Sequence, residues 1–411
     1  MEQILIPTRH GANKSKAMRI AKPLLLTIRD RKSATPSSAQ WQRMGETLLQ
    51  GDPVADKLAS WIQGDGSEGS GKGAYAQFEK ALEAGNLDYK NLPEPLRNFF
   101  QSLSNTPDWV DWQRLERGAQ ACALSGQTGM RVLRDFGLMA GYQASGINQT
   151  LVKTGALERG ATRRVAETTK WWMDCTTVGG LKPGSEGFKT TLKVRLIHAI
   201  IRQRLLKQAD WNTAQWGVPI NQLDMQATYL AFSVSFLLGQ KIMGTLISRQ
   251  ESEDVMHLWR YIGWLMGVDE SLLCTTEQQG RIALYQNVIS QATADDSTRQ
   301  LGRALMDEPL GRHYPNMHFL RGHWEKQVHL SIIRLFVGWR GMKDLGLPTW
   351  TLPWYPILFA PVNALWCAAN RLMPNGSKRL VRLGREAQLQ QLKTLFGDDR
   401  PDIIANEASQ S

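Results

Sequence analysis

The chain has 411 residues, a length that suits one helical domain with appendages or two domains, and no solenoid-type repeat runs through it. Its 49 lysines and arginines against 38 aspartates and glutamates leave a formal charge of +11, which points to an anionic surface, nucleic acid or phospholipid, as a partner. The four cysteines (Cys122, Cys175, Cys274 and Cys367) are scattered without a Cys-x-x-Cys pair, which argues against a disulfide framework or a zinc site and fits a reducing compartment.

At the N-terminus, Arg9, Lys14, Lys16, Arg19 and Lys22 precede a single apolar run, Pro23 to Ile28. That run is too short for a signal-peptide core and has no small-residue cleavage site, so the expected location is cytoplasmic. Residues 1–100 read as a helical extension interrupted by a flexible Gly/Ser loop at 64–73. Within the loop, Gly66 to Lys72 nearly spells a phosphate-binding P-loop. Gly73 stands where the magnesium-holding Ser or Thr belongs, and Ala55 to Gln63 in front of it reads as helix, so an interhelical loop is the better reading. Thr106 followed by Pro107 has the form of an N-cap and first helical residue.

The central part of the chain is helical throughout, and no stretch shows the sustained alternation of a sheet. From Lys189 to Gln208 there is neither Gly nor Pro, and the run contains Val194-Arg195-Leu196-Ile197-His198-Ala199-Ile200-Ile201-Arg202. Arg195, His198 and Arg202 are spaced to share one face of a helix that is otherwise Leu, Ile, Val and Ala. Buried guanidiniums need anionic partners, because an unpaired charge in a core costs several kcal/mol. An imidazole flanked by two of them suggests an anionic cofactor with a metal at its centre, and heme, with its iron and two propionates, fits. The plainer reading is a hydrogen-bonded core histidine, with arginines that meet carboxylates of their own protein.

Further along, Asn221 and Asp224 open a helical run through Thr228, Phe232, Phe236 and Ile242. Ser248-Arg249-Gln250-Glu251 is a capping box in front of a buried face, and Gly267 is placed to end that helix. His257 beside Trp259 reads as a structural histidine. His313, His318, His323 and His329 are spaced five, five and six apart, whereas chelation from one helix wants three or four, so polar surface and core roles are expected for them; a loop folding back to unite two of them, or one of them approaching the distal heme pocket, is the alternative.

The C-terminal segment, 346–396, is first apolar and then basic. Trp350 to Asn370 carries no charge, and Pro353, Pro356 and Pro361 should interrupt a helix. The plain reading is a buried, irregular segment closing the core. The sharper reading is a peripheral membrane contact through 350–385, with Trp350, Trp354, Tyr355 and Trp366 at the interface and Arg371, Lys378, Arg379, Arg382 and Arg385 against headgroups. With no nucleic-acid-binding motif in the chain, the membrane is preferred over nucleic acid. The tail 397–411 is polar and expected to be disordered.

Five segments in a fixed order carry more weight than any one of them. They are Pro107-Asp108-Trp109-Val110-Asp111-Trp112, Lys153-Thr154-Gly155-Ala156-Leu157, Arg163-Arg164-Val165-Ala166-Glu167-Thr168-Thr169, Trp216-Gly217-Val218-Pro219-Ile220-Asn221-Gln222, and the run from His257 to Val268, arranged around the histidine helix. From Thr106 to Cys274 this set resembles the superfamily of latex clearing proteins (rubber oxygenases) and MpaB-type oxygenases. The resemblance implies an all-α fold with a globin-like core binding one heme b, placed at 101–345 with additional N- and C-terminal helices around it. It implies His198 as the proximal iron ligand and Arg195 and Arg202 as the arginines of its motif, which would fix the proximal helix or the propionates. Arg164 and Thr168 take the place of an Arg-x-x-x-Thr motif near the heme. The implied activity is insertion of dioxygen across a C=C bond of an isoprenoid, so O2 and a hydrophobic substrate are the expected partners.

Two positions depart from that pattern. Glu167 stands where some latex clearing proteins carry a distal lysine, and Asn148 where they carry an acidic residue proposed as a base. Glu167 could supply the missing carboxylate, or pair with Arg163 or Arg164 and do no chemistry. A heme-binding sensor or carrier without oxygenase activity, and a helical membrane-associated scaffold without cofactor, stay open beside the oxygenase reading.

Overall fold

A computed structural model describes residues 5–64, 72–84, 91–155 and 160–397, and it is helical from end to end, with no strand among the described residues. The first part of the chain forms α1 (Lys14–Leu25), α2 (Ser38–Thr47), α3 (Pro53–Gln63), α4 (Lys72–Ala84) and α5 (Glu94–Ser104). There follow α6 (Trp112–Leu124), α7 (Gly126–Val132), α8 (Ser145–Lys153), α9 (Ala161–Cys175), α10 (Glu186–Leu206) and the single turn α11 (Thr213–Trp216). The second half holds α12 (Gln222–Leu230), α13 (Phe236–Ile242), α14 (Arg249–Leu265), α15 (Glu277–Ser290) and α16 (Asp296–Asp307), then α17 (His318–Asp344), α18 (Trp354–Leu372) and α19 (Gly376–Phe396).

One apolar core joins distant parts of the sequence. Leu58 and Ile62 of α3, Trp172 of α9, Leu192, Leu196 and Ala199 of α10, and Trp259, Ile262 and Leu265 of α14 are all buried in it. The histidine helix α10 runs through this core, packed on α3, α9 and α14.

Two π-helical segments interrupt the α-geometry. Leu133–Met139 continues α7, and Ala231–Ser235 joins α12 to α13. They pack against each other. Each inserts an extra residue per turn, a feature that concentrates at functional sites and leaves no mark on hydrophobic spacing.

The caps divide the sequence expectations. Ser248 and Glu251 form the expected capping box of α14, and Gly267, at φ 78, follows its C-cap. Asn221 caps α12 through the Asp224 N–H. Thr106 caps nothing. α6 starts only at Trp112, where the Asp111 carboxylate accepts from the N–H groups of Gln113 and Arg114. The Asp111 N–H in turn donates to His257 Nε2 at 3.0 Å, which fixes His257 as the structural residue expected of it. The P-loop-like residues 65–71 and the tail from 398 lie outside the described residues, and what precedes that loop is the helix α3.

The C-terminal segment corrects the plain reading. α18 is a continuous helix, and of its residues only Pro356, Cys367 and Asn370 are buried. Pro353 precedes the helix and Pro356 falls in its first turn, where backbone N–H groups have no intrahelical acceptor to lose. Pro361 alone lies in the interior, and the carbonyl it leaves unpaired belongs to Ile357, which is exposed to water. The histidines of 313–329 are not gathered either: His323 is exposed and bonds the Phe319 carbonyl, while His329 is buried among arginines and carboxylates. Among the described residues no helix is long and apolar enough to cross a membrane.

Candidate functional site

A cavity of about 1560 Å³ runs through the middle of the fold, larger than the roughly 300–1,000 Å³ of an ordinary small-ligand site. α10 contributes Val194, Ile197, His198 and Ile201 to its wall. Trp171, Phe232 and Trp259 form an aromatic group on the lining, with ring centroids 4.9–5.8 Å apart. Both π-helical segments reach the cavity, through Phe136 and Gly137 on one and Ala231 and Phe232 on the other.

His198 differs from a hydrogen-bonded core histidine. Its imidazole makes no hydrogen bond among the described residues, and Nδ1 is buried without a partner there. The residue lines the cavity. Burial first, and Arg202 second, push its pKa down to about 4, so the ring is neutral at ordinary pH.

Of the roles open to Arg195 and Arg202, the structure shows the plainer one, pairing with carboxylates of the protein itself. Neither lines the cavity. Arg195 makes a two-point contact with Asp52, Nε to Oδ2 at 2.6 Å and Nη2 to Oδ1 at 3.0 Å. Arg202 donates to Asp56 and to the carbonyls of Pro219 and Ile220 at 3.1 and 2.8 Å. The anionic partners demanded by these buried cations are therefore the protein's own, from the start of α3, and they form a strap between α3 and α10 that fixes the histidine helix. Gly267 belongs to the strap: a Cβ there would lie 2.1 Å from Asp52 Oδ2.

On α9 the structure separates neighbours. Arg164 lines the cavity and makes no hydrogen bond or ion pair among the described residues. Thr168, one turn on, also reaches the lining, although much of it is exposed. Glu167 touches the lining too, but its carboxylate accepts from Arg163 Nε at 2.9 Å in an i,i+4 pair. Such a pair is worth at most about 1 kcal/mol. Asn148 is buried on the lining, its amide committed to the Tyr142 carbonyl at 2.7 Å and to Thr298. Among the described residues the lining carboxylates are Glu167, Asp224 and Asp344, each ion-paired, with Arg163, Arg9 and Lys16 respectively.

One constellation escaped the sequence reading. Arg134 bonds Asp135 and Glu308 at 2.6 and 2.8 Å, Arg312 grips Glu308 through two nitrogens, and Arg131 holds Glu325 at 2.8 Å. His329 Nδ1 meets Asp135 at 2.7 Å, and its Nε2 meets Arg312 at 3.1 Å. With Arg312 donating, His329 is neutral and carries its proton on Nδ1. Burial pushes its pKa well below the usual value, and burial raises that of Asp135 to about 7 against the pull of Arg134. Three guanidiniums face three carboxylates, so the network is compensated. The available signal was Arg131, Arg134 and Asp135 inside an apolar stretch, spaced to share a helix face.

The family described as "ER-bound oxygenase mpaB/B'/Rubber oxygenase, catalytic domain" matches residues 130–359, more than half of the chain. The chain belongs to this family. A rubber oxygenase of Streptomyces sp. (strain K30) is 26% identical over 189 residues, which cover 45% of this chain and 46% of that protein. The match thus spans under half the length of that relative. A latex clearing protein solved in its closed state shares the fold, with a TM-score of 0.56 and 19% identity over 84% of this chain and 91% of that one. His198, Arg164, both π-helical segments and the network around Glu308 fall inside the mpaB/rubber oxygenase match. Asp52 and Asp56, which anchor α10, fall outside it.

Proposed function

We propose that the chain is a heme b-dependent oxygenase that uses dioxygen on a lipophilic, unsaturated, isoprenoid-like substrate and cleaves its C=C bond. The observation that carries this reading is His198, a neutral imidazole without hydrogen-bond partners among the described residues, on the wall of a large, mostly apolar cavity. The residues fit the cofactor: His198 would take the iron, and Arg164 would meet a propionate. Val194, Ile197 and Phe232 would line the macrocycle. Bound heme would supply the activation of dioxygen. The reaction balances as alkene plus O2 giving two carbonyls: the C=C bond breaks and each carbon takes one oxygen atom, with no external reductant.

The chain's own part is positional. Asp52 and Asp56 hold α10, and with it His198, in place. The Trp171, Phe232 and Trp259 group excludes water and offers apolar contact to an alkene. A heme carrier or sensor is the second reading. It is favoured by the pairing of Glu167 with Arg163 and by an amide at Asn148, which leave no unpaired carboxylate on the described lining.

The test is the absorbance spectrum of the purified protein with heme supplied, before and after His198→Ala, followed by oxygen uptake with squalene. A heme spectrum largely lost in the variant is expected, with carbonyl products from squalene. A protein that stays colourless, or a variant with full heme occupancy, defeats the heme assignment. Heme binding without oxygen uptake on any isoprenoid tried selects the carrier reading.

A further inference from the structure

α18 presents an apolar surface to solvent. Leu358, Val362, Leu365 and Leu372 are 59, 58, 72 and 88% exposed, and their spacing places them along one stripe of the helix. Ile357, Phe359 and Trp366 widen the stripe, and Trp350, Leu352 and Met373 extend it at both ends. On α17, Trp324 adjoins it, its ring 5.4 Å from that of Trp354, with Phe319 and Leu320 exposed one turn before. Soluble monomers rarely leave an apolar patch of this extent uncovered.

We infer that this face is a bilayer-docking surface, seated in the plane of an anionic phospholipid membrane. Charge supports that occupant. The chain carries a formal +11, and the patch from Trp350 to Asn370 has no charged residue. Directly behind it, exposed Lys378 and Arg379 of α19 make no ion pair among the described residues, whereas the other basic residues expected at headgroups are engaged within the protein: Arg382 pairs with Glu386, Arg371 with Glu251, and Arg385 donates to the Thr176 carbonyl. Basic residues beside an apolar helix match anionic headgroups, whereas a second copy of the same face would bring no carboxylate within the patch to meet them. Tryptophans border the stripe, as suits side chains that settle at headgroup depth. The helix is not long and apolar enough to cross, so it lies in the interface.

The surface also leads to the cavity. Leu335 is three helical turns beyond Trp324 on the same side of α17, and Trp339 follows after Gly338, whose φ of 64 breaks the helix there. Leu335 and Trp339 are both exposed and both line the cavity. We infer that a lipophilic molecule dissolved in the bilayer enters the cavity at this edge of α17, where Leu335 and Trp339 face both solvent and the cavity. This last step rests on the proposed function; the docking surface itself does not.

The test uses the full-length protein and vesicles of phosphatidylcholine with or without phosphatidylglycerol, read by co-sedimentation. The expected result is binding to the anionic vesicles, with tryptophan fluorescence quenched by lipids brominated along their tails. The double variants Leu358→Glu/Leu365→Glu and Lys378→Glu/Arg379→Glu should each bind at least about tenfold more weakly, with unchanged thermal melting, because all four side chains are exposed. Leu206→Glu, an exposed leucine on α10, should bind as the wild type does. Wild-type protein that stays in the supernatant with both vesicle types overturns the inference. So does a dimer in solution that Leu358→Glu/Leu365→Glu dissociates, which would make the face a contact between copies. Vesicle binding is read without heme or turnover, so a colourless protein that docks would refute the proposed function and leave this inference standing.

Discussion

The helix face shared by Arg195, His198 and Arg202 splits in the folded protein. The two arginines turn to Asp52 and Asp56, while the imidazole keeps the cavity. The reason is electrostatic: a buried guanidinium takes the nearest carboxylate able to hold it, and α3 brings two. The same rule separates the residues of α9. Arg163 takes Glu167 one turn away, and Arg164 lines the cavity without an ion pair among the described residues. Arg164→Ala and Thr168→Ala are therefore expected to lower heme retention several-fold, and Arg163→Ala and Glu167→Gln to change it less than about twofold, as suits an exposed pair worth under about 1 kcal/mol. Heme-to-protein ratios after gel filtration decide it, and equal losses in all four variants would refute the assignment. The place of His198 on an apolar wall was legible because its residue type and apolar neighbours on α10 are local to the sequence. The partners of its neighbours were not, because Asp52 is separated from Arg195 by 143 residues and no local pattern links them.

Among the elements, the strap between α3 and α10 should dominate the stability of the site. Asp52 and Arg195 are both buried, and removing one partner of such a pair leaves an uncompensated charge, which typically costs about 3–5 kcal/mol. Asp52→Ala is expected to lose that much in urea unfolding. Replacing Asp52 and Arg195 together by apolar residues should cost clearly less, since no lone charge remains. Gly267→Ala should be destabilising on two counts, a positive φ and a Cβ 2.1 Å from the Asp52 carboxylate. If Asp52→Ala unfolds like the wild type, the strap is not what holds α10. The elements also show where local rules suffice. Ser248 and Glu251 announced the start of α14 because a capping box is a contact between near neighbours. Thr106 misled for the converse reason: Asp111 lies closer to the helix, accepts two N–H groups, and is held by His257 from 146 residues away.

At the scale of the whole molecule, buried neutral histidines set a dependence on pH. His257 accepts the Asp111 N–H through Nε2, and burial, with Arg114 next, lowers its pKa from 6.5 to about 4. His329, enclosed by arginines, is shifted in the same direction. The unfolded chain binds protons more readily than the folded one at these sites, so their contribution is fully present above pH 6.5. It is lost as the pH falls from 6.5 towards about 4. For His257 the shift corresponds to roughly 3 kcal/mol. Asp135, whose pKa burial raises to about 7, works in the opposite direction over the same range, so the deciding comparison is between variants: the loss of unfolding free energy from pH 7 to 5 should be smaller for His257→Asn than for the wild type, and an equal loss would contradict the neutral, buried state of His257. The cavity, too, is a property of the whole fold, since α1, α8, α9, α10, α12, α15 and α17 all reach its lining, as do both π-helical segments.

The sequence by itself determined the helical class, the caps at Asn221, Ser248 and Gly267, the family, and His198 as the residue to examine. The class and the caps rest on composition, on periodicity, or on contacts within a few positions along the chain; the family rests on the resemblance carried by five ordered segments, and His198 on that resemblance together with its apolar helix. Only the tertiary structure decided that Arg195 and Arg202 bind Asp52 and Asp56, and that Glu167 pairs with Arg163 while Arg164 stays open to the cavity. It also decided that α18 continues through its prolines with an apolar face in solvent, and that three arginines, three carboxylates and His329 close into one buried network. Burial and charge pairing choose among distant partners by distance in space, and spacing along the chain does not report that distance.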